Sequence, residues 1–372
     1  MDHAAQIGRQ QKPRLVRIAC GVFCGALIAI SLGAAQVSQA PGPPRVSFTV
    51  DAAGPADFKT VQQAVDALPA VGGVIRIRPG TYREQIHIDK PHVTLIGLGK
   101  IPSEVVLTYN LSHHDVGSTF ATASTYVSGD DFLAENITFQ NTFSDEHPDA
   151  DLDAQAVALR VTGDRDVFRH IRVVASQDAL YADTKTCLKG TDPCAASRQL
   201  YADSYIAGTV DFIFGAAKAV FERSEIHSRL HPVDSITAQS RLDSAEDSGY
   251  VFDHCMLSAD PGVTDVYLGR PWRLYATVIF LNTDMGAHID PAGWAEWMHD
   301  GRSGLANAFY AEYGSYGDGA PHGASQTAPA NGYTGASANG RISQDKILTA
   351  KEAAKFAPRD FLRGADIWLP KL

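Results

Sequence analysis

The chain has 372 residues, of which 45% are hydrophobic and 20% charged, and its formal net charge is −10 at pH 7. That much apolar material builds a sizeable core and excludes a disordered chain. The negative balance excludes nucleic acid as a partner, and an anionic polymer has to be met by a local basic site rather than by the field of the whole molecule.

Arg9, Lys12, Arg14 and Arg17 precede an uncharged run from Ile18 to Val37 that ends in small residues, followed by Ser38, Gln39 and Ala40. Basic, apolar and small segments in that order predict a secretory signal over residues 1–40, with cleavage after Ala35 or Ala40. The predicted location is therefore secreted or periplasmic. The run is also about long enough to span a bilayer, which leaves a retained anchor as the less favoured alternative. In an oxidising compartment, Cys187 and Cys194 of "CLKGTDPC" are expected to pair, whereas Cys255 reads as a buried, inert thiol. Residues 41–372 are read as one domain, entered through the stiff "PGPPR".

The first predicted element is a short helix. Thr60 and Gln63 form a capping-box pattern, Val61, Ala64, Val65 and Leu68 share a face, and Pro69 follows. From Val74 the chain changes to short β-type runs, "VIRIRPG", "IHI" and "VTLIGLG", separated by Gly, Pro and Asp. An aromatic residue followed five positions later by an aliphatic one recurs as Phe132 and Ile137, Phe168 and Val173, Tyr201 and Ile206, Phe221 and Ile226, and Phe252 and Leu257, at intervals of 36, 33, 20 and 31 residues. This pattern fits an all-β, right-handed parallel β-helix whose coils carry loops of different length, with a sandwich left open on pattern alone. The Gly-, Ala- and Ser-rich tract beyond Phe309 reads as a surface loop, and "TAKEAAKFAPRDFLR" as a helical cap over the end of the solenoid.

The repeat places Asp178 ten residues beyond Phe168 and Asp211 ten beyond Tyr201, hence in one register of successive coils. Adjacent strands lie ~4.7–4.9 Å apart, so the two carboxylates would be neighbours. Such a pair cannot easily ionise twice, and one member keeps a proton. A retaining glycosidase, an aspartyl esterase and an aspartic-protease-like water activation all fit. Gln177 and Gln155 supply neutral donors for a tetrahedral oxyanion, which an oxocarbenium-like transition state does not need, so they favour ester cleavage. Arg270 suits a carboxylate clamp and Trp272 a sugar face, although a surface ion pair, a core tryptophan and a glutamine ladder are the ordinary alternatives. His113, His114 and Asp115 read as loop or surface residues, and neither a metal nor another cofactor is implied.

The motifs "GTYREQI", "QAVALR", "QDALYAD", "GTVDFIFG" and "LGRPW" occur in an order and spacing that resemble the pectin methylesterases, of a bacterial secreted type, from about Val50 to Pro370. The resemblance implies a right-handed parallel β-helix acting on methyl-esterified homogalacturonan and water. It implies Asp211 as nucleophile, Asp178 as general acid and then base, Gln155 and Gln177 at the oxyanion, Arg270 holding Asp211, and Trp272 on substrate. Phe214 and Tyr181, inside the same motifs, are further candidates for substrate contact, and a monomer is expected. Ala179 stands where the family often has Thr, and the loop from Cys187 to Cys194 and the tract after Tyr313 are expanded. The rival readings are a relative acting on another acyl ester or thioester, and a non-catalytic saccharide-binding solenoid. No G-x-S-x-G elbow supports a serine hydrolase.

Overall fold

A computed structural model describes residues 45–148, 154–185, 196–232, 234–297, 304–321, 341–342 and 345–370. The 1–40 segment, Cys187, Cys194 and most of the Gly-rich tract lie outside the described residues, so the signal and the disulfide are not addressed by it.

Every named strand pairing is parallel, in sheets of eleven, eight and seven strands visited in turn by successive coils. This is the right-handed parallel β-helix. Its interior is one apolar core built from the inward positions of all three sheets. Within it Phe168, Tyr201, Phe221, Phe252 and Phe280 occupy one register. Their rings stack with centroids 4.8, 4.9, 4.5 and 4.6 Å apart, so the core is held by a continuous aromatic column as well as by area burial.

The column corrects the expected repeat at both ends. Ala134, not Phe132, pairs with Phe168, and Phe132 packs beside the column two residues out of register. Phe280 continues the column instead, with Met285 five residues on. A pattern that admits only branched aliphatic partners passes over that thioether.

Two residues after each column member the chain turns from the eleven-stranded to the eight-stranded sheet through a non-glycine residue with positive φ: His170, Asp203, Arg223, His254 and Asn282, with Asn136 one coil earlier. Each donates its amide to the next coil, as in His170 N–H to Ala202 O at 3.1 Å and Asp203 N–H to Glu222 O at 3.0 Å. The left-handed conformation is strained for L-residues, and the stacked hydrogen bonds hold it.

The first helix runs Val61–Ala67, with Thr60 accepting the Gln63 amide and Val61, Ala64 and Val65 buried. The Glu84 carboxylate accepts the amides of Val61 and Gln62 at 2.8 and 3.0 Å, which satisfies two donors of the first turn. At the other end the strand Phe309–Tyr313 takes the start of the predicted Gly-rich loop into the eleven-stranded sheet. The C-terminal turns Ala350–Ala353 and Pro358–Phe361 form as expected but pack elsewhere. Ala353 and Leu362 cover the outer apolar face made by Val167, Leu200, Val220, Val251 and Ile279, so they shield a flank of the eleven-stranded sheet rather than an end of the solenoid. The outward row of branched side chains on that sheet needs a cover, and its residue types do not distinguish it from the inward row in the sequence.

Candidate active site

The seven-stranded sheet carries the site. Its strands are Ile86–Ile88, Thr125–Val127, Leu159–Val161, Leu180–Ala182, Val210–Gly215, Ser235–Gln239 and Tyr267–Gly269. Leu180 pairs with Ile213 and Tyr181 with Phe214, which puts Asp178 and Asp211 in one register at the entry to adjacent strands.

Both aspartates take positive φ, 63° at Asp178 and 51° at Asp211. Val210 pairs with Ser235 but Ile213 with Thr237, so one extra residue is bulged at Asp211. The bulge explains how a carboxylate sits in "VDFIF". Phe212 and Ile213 both enter the core, while Asp211 and Phe214 turn to the cleft, where a regular alternation about Ile213 would have pointed Asp211 into the core and Phe212 out of it. The same arrangement holds one coil earlier, where Ala179 and Leu180 are core and Tyr181 is outside it. Gly208 is required nearby, because a Cβ there would lie 2.2 Å from Phe212 Cβ.

Asp211 is 3% exposed. Arg270 donates Nε to its Oδ1 at 3.0 Å and Nη2 to its Oδ2 at 2.8 Å, a fork that fixes the plane of the carboxylate. Ser235 Oγ also donates to Oδ1 and accepts the Asp211 amide at 3.2 Å. The Trp297 ring lies 4.4 Å from the guanidinium carbon and backs it. Burial, and then the adjacent Asp211 charge, push the Asp178 carboxyl well above the usual carboxylate range, with Arg270 opposing. The two acids therefore differ: one is clamped by a cation and a hydroxyl, the other favours its proton.

A cleft of about 310 Å³ opens over the pair. Gln155, Gln177, Asp178, Asp211, Arg270, Trp272 and Phe214 all line it, which brings together seven of the eight expected site residues. Gln177 is 8% exposed, and its Oε1 is buried without a hydrogen-bond partner among the described residues. Tyr181 does not line the cleft. It is 7% exposed and stacks behind Phe214 at 4.5 Å and Phe120 at 5.1 Å. Thr119, Phe120, Ala238 and Trp297 complete the lining and were not anticipated, nor was Ser235 beneath it. The register alone would have found Ser235, since it stands across from Val210, next to Asp211.

Other expectations fall outside the cleft. His113, His114 and Asp115 form a one-turn surface helix, where the Asp115 carboxylate accepts the Ser112 amide and hydroxyl. Cys255 is buried, accordingly pushed up to about 12, and points at the Phe221 carbonyl. Among the described residues no cluster of His, Cys, Asp and Glu has a metal-binding arrangement, and no helix is long and apolar enough to cross a membrane.

The family model described as Pectinesterase matches residues 47–365. The chain belongs to the pectinesterase family. It is 34% identical to Pectinesterase QRT1 of Arabidopsis thaliana over 87% of this chain and 78% of that protein, and 35% identical to Pectinesterase 1 of Citrus sinensis over 86% and 51%. It thus spans about half the length of the Citrus relative. Among solved structures it is similar to pectin methylesterase from carrot, with 32% identity, a TM-score of 0.72 and coverage of 89% of this chain and 96% of that one. A pectin methylesterase in complex with a hexasaccharide is 26% identical, with a TM-score of 0.70 over 87% and 98%. Pectinesterases are carbohydrate esterases, and the hexasaccharide complex belongs to a relative of the same fold.

Proposed function

We propose that this pectinesterase-family chain hydrolyses the C6 methyl esters of galacturonate units in methyl-esterified homogalacturonan and releases methanol. The observation that carries the reading is the pairing, in one cleft, of an aspartate forked by Arg270 with a neighbouring aspartate pushed toward its protonated form.

An oxygen of Asp211 attacks the ester carbonyl, and the tetrahedral oxyanion is met by the amides of Gln155 and Gln177. The C6–OCH3 bond breaks as Asp178 gives its proton to the departing methoxide, leaving an acyl anhydride on Asp211 and a carboxylate on Asp178. That carboxylate then takes a proton from water, whose oxygen attacks the acyl carbon, so galacturonate leaves and both aspartates return to their first states. Phe214 and Trp272 give the sugar its apolar contacts, and Tyr181 backs them. The reaction draws on no metal, and the chain acts as a monomer, secreted or periplasmic after cleavage of its leader at Ala35 or Ala40, with the 41–372 domain carrying a Cys187–Cys194 disulfide.

The test is methanol release from highly methylated pectin by the wild type and by Asp211→Ala. A variant that folds and retains polymer but yields no methanol supports the reading. An active Asp211→Ala overturns it, and an Asp211→Ala protein indistinguishable from an equally inert wild type would favour the saccharide-binding alternative. Greater turnover on short acyl esters or thioesters than on pectin would favour the other rival. N-terminal sequencing of the exported protein and thiol titration test the leader and the disulfide.

A further inference from the structure

Gln155 has no strand of its own to hold it. It precedes Leu159–Val161 by four residues, outside any strand. Its backbone carbonyl accepts the amide of His113 at 2.8 Å, and the next residue, Ala156, donates its amide to the Gln177 carbonyl at 3.2 Å. Thr119 and Phe120, which also line the cleft, belong to a 3-10 turn that is equally short of ladder partners.

Both pieces are tied to one buried side chain. Asn141, 2% exposed at the end of strand Thr138–Asn141, shares the two hydrogens of Nδ2 among the carbonyls of Leu111 at 2.9 Å, Thr122 at 3.2 Å and Val157 at 3.0 Å. Its Oδ1 accepts the Phe143 amide at 3.0 Å, so the orientation of the group is fixed. Leu111 lies two residues before the amide that grips Gln155, Val157 lies two residues after Gln155, and Thr122 closes the turn that carries Thr119 and Phe120. Thr122 completes the bracket, because its Oγ1 accepts the Val157 amide at 2.9 Å and donates to the Thr119 carbonyl at 2.7 Å. Asn141 itself does not line the cleft.

We infer that Asn141 is a positioning residue for ester cleavage: it sets Gln155 and the Thr119–Phe120 wall against the aspartate pair while touching neither substrate nor either acid. The inference rests on the proposed role of Gln155. An oxyanion donor is effective only when held where the charge develops, and a shift of about 1 Å costs on the order of 10²-fold in rate. Removing the Asn141 amide leaves three carbonyls without their shared donor and frees both segments to move.

The experiment is a double-mutant cycle read as kcat for methanol release, on variants assayed well below their melting temperatures. Asn141→Ala is expected to lower kcat roughly 10- to 100-fold with a smaller change in KM, and Thr122→Val, a milder break in the same bracket, to lower it less. In a Gln155→Ala background the Asn141→Ala loss is expected to shrink to within about threefold, because the group it positions is gone. Losses that multiply in the double variant, or an Asn141→Ala and a Thr122→Val that both keep wild-type kcat, overturn the inference and leave the mechanism standing. A Gln155→Ala single variant with wild-type kcat overturns the oxyanion assignment itself, and the inference with it. Should Asn141→Ala not fold, the Thr122→Val cycle decides by the same criterion.

Discussion

Arg270 and Asp211 stand two rungs apart on the seven-stranded sheet, and the guanidinium crosses the intervening Ser235 strand to bind both oxygens of the carboxylate. Lysine keeps the charge but not the fork. Arg270→Lys is expected to lower kcat for methanol release by ~10²-fold while the fold is retained, since the Arg270 side chain is 32% exposed. Steady-state kinetics beside a thermal melt check both halves.

Ser235 is the second group on Asp211 and adds a hydroxyl donor to Oδ1. Ser235→Ala is expected to cost about tenfold in kcat, near the worth of a hydrogen bond to a charged group, with Ser235→Thr restoring most of it. A loss in KM alone would show that the hydroxyl acts on substrate instead.

Asp178 sets the sign of one pH effect. Its proton affinity in the folded protein is raised, first by burial and then by Asp211, so the stability it contributes is full at acid pH and is lost as pH rises through that raised value. Asp178→Asn is therefore expected to raise the melting temperature at neutral and alkaline pH while abolishing turnover. Calorimetry and methanol assays on one preparation test it.

A second buried acid lies at the C-terminal end. Asp345, which accepts Trp294 Nε1 at 3.1 Å, is pushed up to about 8 by burial and by the charge of Glu312, itself bound to Arg341 at 2.7 Å. Its stabilising share is present below the ordinary carboxylate range and disappears as pH climbs toward about 8. Melting temperatures of Asp345→Asn should decline less than those of the wild type between about pH 5 and pH 9.

The aromatic column gives a prediction on stability alone. Phe252→Ala removes a ring stacked on both sides and is expected to cost ~3–5 kcal/mol in denaturant unfolding, with kcat of the folded protein unchanged.

Spacing made the coils and the aspartate pair legible, because identical positions in successive rungs repeat their chemistry: an aromatic residue, a corner, an aliphatic residue five positions after the aromatic and, in two coils, an acid ten positions after it. What spacing leaves out is contact between segments that do not repeat. Asn141 ties together Leu111, Thr122 and Val157, and Trp297 reaches Arg270 from a later connection. The outward row Val167, Leu200, Val220, Val251 and Ile279 has the same residue types as the core, and only the fold separates the two. Tyr181 illustrates a third limit, since a motif gives a residue's neighbourhood but not its depth.

The turn built on His170, Asp203, Arg223, His254 and Asn282 keeps one geometry through coils whose lengths vary from 20 to 33 residues. Growth and shrinkage of a coil are thereby confined to the other connections, several of which border the cleft. The solenoid can lengthen or trim its substrate-facing walls while the phase between rungs, and with it the juxtaposition of the two acids, is carried over unchanged.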